Sequence, residues 1–159
     1  MGDSPPGARL FIVCGLPGSG KTTRAKQLEN RFQAVRFCPD EWMTQLSIDI
    51  YDELRREKIE SLQWKRAQDL LSRGFPVIIE WGTWGRTERD RLRLGAKAIG
   101  AAVELHYLPA SVEILYERIL RRGMEYPPIE LRDLVQWAAE FQEPTPEELA
   151  LFDPPLEIF

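Results

Sequence analysis

"GLPGSGKTT", Gly15 to Thr23, follows directly on the apolar stretch "LFIVC" and decides the reading of the chain. Gly15, Gly20, Lys21 and Thr22 meet the spacing G-x-x-x-x-G-K-[ST]. Glycines let the backbone curl so that successive N–H groups face one anion-sized hollow. A helix beginning near Lys21 adds its positive end. In such a loop the lysine reaches the β- and γ-phosphates of a nucleotide, and the hydroxyl after it reaches Mg²⁺. Pro17, Gly18, Ser19 and Thr23 complete the expected nucleotide contacts. Three uses of the phosphates remain open at this point: energy coupling, a GTP switch, or phosphoryl transfer.

Working outward, short apolar runs alternate with helical patterns. "RLFIVC" (9–14), "AVRFC" (34–38), "FPVIIE" (75–80) and "AVELHYL" (102–108) read as buried strands. Residues 21–32 read as a helix with Ala25, Leu28 and Phe32 on one face. A long helical region spans 47–74, with Ile50, Leu54, Ile59, Leu62, Ala67, Leu70 and Leu71 as its apolar stripe. Thr87 is expected to start the next helix, with Asp90 in a capping box, and Ser111 to cap another. Further helices are expected over 129–141 and 145–152, and an edge strand in "DPPLEIF". Strands alternating with helices imply an α/β domain with a parallel sheet. Sites in such sheets lie at the carboxyl ends of the strands, which gathers Gly15, Asp40, Glu80 and Pro109.

The chain has 159 residues, 43% of them apolar and 29% charged, enough for one domain with a real core. No run approaches the length that spans a membrane. Residues 1–8 read as a flexible leader without a signal sequence, and the protein is expected to be cytoplasmic. Cys14 and Cys38 read as buried thiols, not a disulfide. The net charge of −4 argues against a dedicated nucleic-acid binder. Residues 54–97 nevertheless hold an excess of Lys and Arg, and residues 140–159 carry only acids.

No guanine-reading Asn/Thr-Lys-x-Asp or Asp-x-x-Gly motif exists, which disfavours a GTP switch. "VIIEW" lacks the Asp-Glu pair of ring-forming ATPases. A small phosphotransferase remains, needing a nucleotide, Mg²⁺, an acceptor hydroxyl, a base, and cations over the moving phosphoryl. Asp40, in "RFCPDEW", is the candidate base, or else the N-cap of the helix after it. Glu80 is the candidate partner of Thr22 at Mg²⁺. Arg118, Arg121 and Arg122 share a helix face before the loop "RRGMEYPP". Arg118 and Arg122 are the candidates to close over the triphosphate; the other reading is a favourable pairing with the helix dipole.

"GLPGSGKTT", "RFCPDEW", "VIIEWGTWGRTERDRLR" and "VELHYLPASVEILYERILRR" together resemble the P-loop kinase-like ATP-binding proteins of the AAA-domain family. That group is similar to polynucleotide 5′-kinase, zeta toxin, gluconate kinase and adenylylsulfate kinase. The resemblance implies ATP and Mg²⁺ and a P-loop NTPase fold, a three-layer sandwich around a mostly parallel sheet of four to five strands. It also implies a helical lid over about 118–142, all within one domain spanning 9–159. In the polynucleotide kinase pattern, an Asp after the second strand is followed three residues later by an Arg. Asp40 matches the Asp, and Met43 stands in place of the Arg.

Trp42, Trp84 and Arg86 complete the expected acceptor side, with Asp40. The reading is an ATP-dependent phosphotransferase acting on a small-molecule hydroxyl. Its alternatives are a polynucleotide or RNA 5′-hydroxyl kinase, and an ATP-binding module that acts through a protein partner without transfer.

Overall fold

The computed structural model describes residues 6–123, 125 and 127–159. Met124 and Tyr126 of the expected lid loop, and most of the expected leader, lie outside the described residues. Four strands form one sheet: β1 (Arg9–Cys14), β2 (Val35–Phe37), β3 (Val77–Gly82) and β4 (Ala102–Tyr107). Their order is β2-β3-β1-β4, and every pairing is parallel. Seven helices are present among the described residues: α1 (Lys21–Phe32), α2 (Pro39–Gln45), α3 (Glu53–Ser72), α4 (Arg86–Ile99), α5 (Val112–Arg122), α6 (Leu131–Glu140) and α7 (Pro146–Leu149).

The three layers follow from strand alternation. On β1, Leu10 and Ile12 point to the face covered by α3 and α4, while Phe11 and Val13 point to α1. Both faces of β1 and β3 are therefore dry, which is why these runs are continuously apolar rather than alternating. Along α3 the buried positions are Ile59, Gln63, Ala67 and Leu71, one every fourth residue. Leu54 and Leu62, expected in that stripe, face out at 75% and 58% exposure. Gln63 takes the inward place because its Oε1 accepts the Trp81 indole N–H at 2.9 Å. Trp64 packs against α4 at Gly95, where any side chain would meet its ring at 2.7 Å.

Several element ends differ from expectation. The third strand runs two residues past Glu80, so Glu80 lies within it. Opposite Ile12 and Cys14 the ladder slips by one residue, a bulge at Glu80–Trp81 that re-aims side chains at the strand end. Helix α2 begins at Pro39 with Cys38 as its N-cap, which removes the cap reading of Asp40. Helix α4 begins at Arg86 after Gly85, not at Thr87, and Asp90 pairs with Arg86 instead of capping. Ser111 does cap α5, accepting the Ile114 N–H.

The tail adds no fifth strand. Asp153 instead makes two bonds to Val103 of β4, accepting its N–H and donating to its carbonyl, both at 2.8 Å. Past it, the Leu156 N–H and the Arg9 guanidinium both reach the buried Glu104 carboxylate, and Phe159 lies under Arg24. His106 sits between Glu104 and Arg24, tied to both. Burial works against the Glu104 charge, but these donors outweigh it and hold its carboxyl below the usual range.

A second buried pair closes the other end of the sheet. Arg89 of α4 is 0% exposed and grips Glu148 of α7 with two hydrogen bonds of 2.6 and 2.9 Å. Its remaining donors reach the carbonyls of Thr83 and Gln142, each at 2.7 Å. Burial opposes its charge, and the Glu148 carboxylate more than restores it. Removing one partner strands the other charge in the interior. Glu148→Ala is expected to cost about 3–5 kcal/mol in urea unfolding, far more than an exposed pair would.

Candidate active site

Between the carboxyl ends of β1 and β3 lies a cleft of about 750 Å³. Its floor is the loop from Pro17 to Thr23. Gly18 and Gly20 take positive φ angles of 84° and 98°. At Gly18 a side chain would meet the Leu115 carbonyl of α5 at 2.9 Å, so the loop and α5 touch only because this residue is glycine. No side chain caps α1, so its first N–H groups are left for an anion. Lys21 Nζ rests on the Leu16 carbonyl at 3.1 Å. Burial lowers the Lys21 ammonium, while Glu80 and Asp40 act in the opposite sense.

Thr22 donates its hydroxyl to Glu80 at 2.7 Å. Glu80 is 6% exposed and also takes Arg36 of β2 at 3.0 Å. Burial works against the Arg36 charge, yet its bond to Glu41 and the nearby Glu80 raise it. Nothing in the sequence pointed to Arg36; its partner is forty-four residues away and on another strand. Burial, with Glu80 adding to it, pushes the Cys38 thiol up to about 12, and burial raises Cys14 too. Both cysteines are free and buried, and such thiols stay protonated and inert.

Asp40 lines the cleft from the first turn of α2, one strand removed from β1. Its carboxylate is paired with Arg56 of α3, which also holds the Ile50 carbonyl. Met43 is fully buried, so no cation stands one turn after Asp40. Arg118 donates to the Gly18 carbonyl at 3.2 Å. Arg122 also lines the cleft and pairs with Glu125. Arg121 is turned away and pairs with Glu117. The hairpin of α5 and α6 closes on Leu115, Ile119, Ile129 and Leu134, with Leu16 of the phosphate loop packed against them.

Trp84 lines the cleft beside Trp137, their rings 6.1 Å apart. Gln142 holds that turn from both sides, donating to the Trp84 carbonyl and accepting the Arg86 N–H. Two expected acceptor residues stand outside the lining. Trp42 packs edge-on against Phe37 under the core, because α2 turns it inward. Arg86 spends its guanidinium on Asp90 at 2.9 Å. Gly15 and Ser19 also lie behind the loop, Gly15 joining β1 to β3 through the Gly82 carbonyl.

Several lining residues escaped the sequence, among them Tyr51, Glu53, Thr83, Trp137 and two carboxylates of the long helices. Glu60 of α3 and Glu88 of α4 carry no signal in the sequence, yet both are part-buried in the cleft wall. Burial, and next the charge of Glu88, push the Glu60 carboxyl up to about 7. Burial raises Glu88 as well. Followed by carboxyl ¹³C NMR, Glu60 is expected to titrate near 7, and Glu88→Gln to lower that midpoint by removing a like charge.

Residues 10–144 match the family model described as an AAA domain. No curated protein matches the chain in sequence. Among solved structures it is similar to a protein of the Pnkp1/Rnl/Hen1 RNA repair complex, at 20% identity and a TM-score of 0.73. That match covers 96% of this chain and 48% of the other. It is similar to Kti12 of Chaetomium thermophilum in complex with ADP-AlF3, at 24% identity and a TM-score of 0.65, over 87% and 82% of the two chains. A sugar kinase from Janibacter sp. HTCC2649 is 25% identical with a TM-score of 0.62, over 89% of this chain and 82% of that one.

Proposed function

We propose, from the premise that this chain belongs to the AAA-domain family, that it is an ATP- and Mg²⁺-dependent phosphotransferase acting on a small-molecule hydroxyl. Nucleotide binding follows from the P-loop fold of that family. The observation that carries the rest is the meeting, in one cleft, of a phosphate loop, the Thr22–Glu80 oxygen pair and the exposed carboxylate of Asp40. A cleft of about 750 Å³ with phosphates at one end leaves room for a small acceptor.

Thr22 and Glu80 fit a hard cation, since both are oxygen donors already within hydrogen-bond distance of each other. Mg²⁺ there would draw charge from the phosphate oxygens. Among the described residues no cluster of three His, Cys, Asp or Glu is arranged to hold a metal, so substrate oxygens and water would fill its shell. Lys21 leaves the Leu16 carbonyl to bind the β- and γ-phosphates. Arg118 is tethered at Gly18, close to the loop that holds the transferring group. Its charge acts most strongly as negative charge builds on the equatorial oxygens.

Arg56 orients Asp40 toward the acceptor hydroxyl. The hydroxyl oxygen bonds to the γ-phosphorus as the bond from that phosphorus to the bridging oxygen breaks. The proton passes to Asp40, and ADP leaves with the bridging-oxygen electrons. Lys21→Ala is expected to abolish transfer. Asp40→Asn keeps the shape but not the basicity, and is expected to lower kcat by about 10²–10⁴ with nucleotide affinity held within about threefold. Both are read by ADP release against a panel of sugars, aminoglycosides, nucleosides and 5′-hydroxyl oligonucleotides. Nucleotide binding with no transfer to any of them would replace this reading with that of a binding module.

A further inference from the structure

We infer that the acceptor is a hydroxylated amine, held at its ammonium group by Glu60 and Glu88 in the wall that α3 and α4 give the cleft. The inference rests on the phosphotransferase reading and names the substrate class of that same site.

The lining of the cleft carries seven acidic side chains against four basic ones. Lys21, Arg118 and Arg122 gather at the phosphate loop. Glu60 and Glu88 line the cleft from α3 and α4; of the cations whose charge reaches them, Arg56 is bound to Asp40 and to the Ile50 carbonyl, Arg89 is bound to Glu148, and Arg91 lies outside the lining. Neither Glu60 nor Glu88 has an ion pair or hydrogen bond among the described residues. Two part-buried carboxylates, one raised by the charge of the other and neither in bonding contact with the arginines near them, are costly. A protonated amine between them would remove that cost and gain charge-assisted hydrogen bonds.

Two further features point to a ligand. Thr83 lines the same cleft at 1% exposure, and its hydroxyl has no hydrogen-bond partner among the described residues. It is held at φ 45°, a left-handed geometry uncommon for a non-glycine residue. A polar substrate supplies the missing partner. Trp84 and Trp137 also line the cleft, and indole faces attract ammonium groups. A carboxylate-bearing or polyanionic acceptor would meet Glu60 and Glu88 head on. Transfer stays at oxygen, because an amine kept protonated has no free electron pair to attack phosphorus.

The test uses the intact protein and two matched sets, glucosamine, glucose and gluconate, and serinol, glycerol and glycerate. Transfer is read by ³¹P NMR of the product, and acceptor binding by calorimetry with a non-hydrolysable ATP analogue present. The amine is expected to lead within at least one set by tenfold or more in kcat/KM, with the acid last. Glu60→Gln with Glu88→Gln is expected to raise the amine KM about tenfold, with kcat and analogue affinity within about twofold. A neutral or acidic member, or a 5′-hydroxyl oligonucleotide, phosphorylated in preference to the amines overturns the inference and leaves the phosphotransferase reading intact. So does an amine KM indifferent to the double variant. Amine binding that needs both carboxylates but leads to no transfer overturns the phosphotransferase reading and keeps the cation site. Neither binding nor transfer of any amine overturns the inference.

Discussion

Arg89 and Glu148 form the interaction on which the geometry of the cleft depends. The guanidinium is wholly buried, and its donors go to a carboxylate and to two main-chain carbonyls from different segments. One carbonyl belongs to Thr83, the residue forced into a left-handed turn at the end of β3. The other belongs to Gln142, just past α6. A single side chain therefore fixes the turn that carries Trp84 and the chain that leaves the α5–α6 hairpin. Buried ion pairs contribute little net stability against an apolar alternative, but they define one arrangement when each donor has one partner. Here the arrangement defined is the wall of the cleft.

The phosphate loop and the identities of most elements were legible because their signals are local. A strand, a glycine turn and a helix start occupy one contiguous stretch, and 3.6-residue or two-residue periodicity needs no knowledge of neighbours. Asp40 and Glu80 were found because strand ends in a parallel sheet converge. Arg36 on Glu80, Arg56 on Asp40 and Arg89 on Glu148 were not legible. Each joins residues with no periodic relation, and an arginine in a sequence looks alike whether it is solvated or enclosed. Gln63 failed for the same reason, since only the indole of Trp81 makes it an inward residue. The tail misread is different in kind. "DPPLEIF" has strand-like residues, but two prolines lack the N–H that a ladder requires.

The cleft holds both phosphate-binding cations and an excess of carboxylates. Lys21 and Arg118 stand at the phosphate loop, and Glu60 and Glu88 line α3 and α4 without a bonded cation. The formal net charge of −4 conceals this, because it averages over the whole surface. Acids stand at the loop as well: Arg36 offsets the charge of Glu80, Arg56 that of Asp40, and Glu125 pairs with Arg122.

Asp153 bonds both main-chain groups of Val103, and this has a consequence for the molecule among its neighbours. β4 is an outer strand, and outer strands present a template to which a second sheet can add. One aspartate, bonding through its backbone and its side chain, occupies the two groups that an incoming strand would need first. The prolines that follow deny a continuing ladder in register. The final residues thus act as a selvedge, stopping the weave of the sheet on this side without lengthening it.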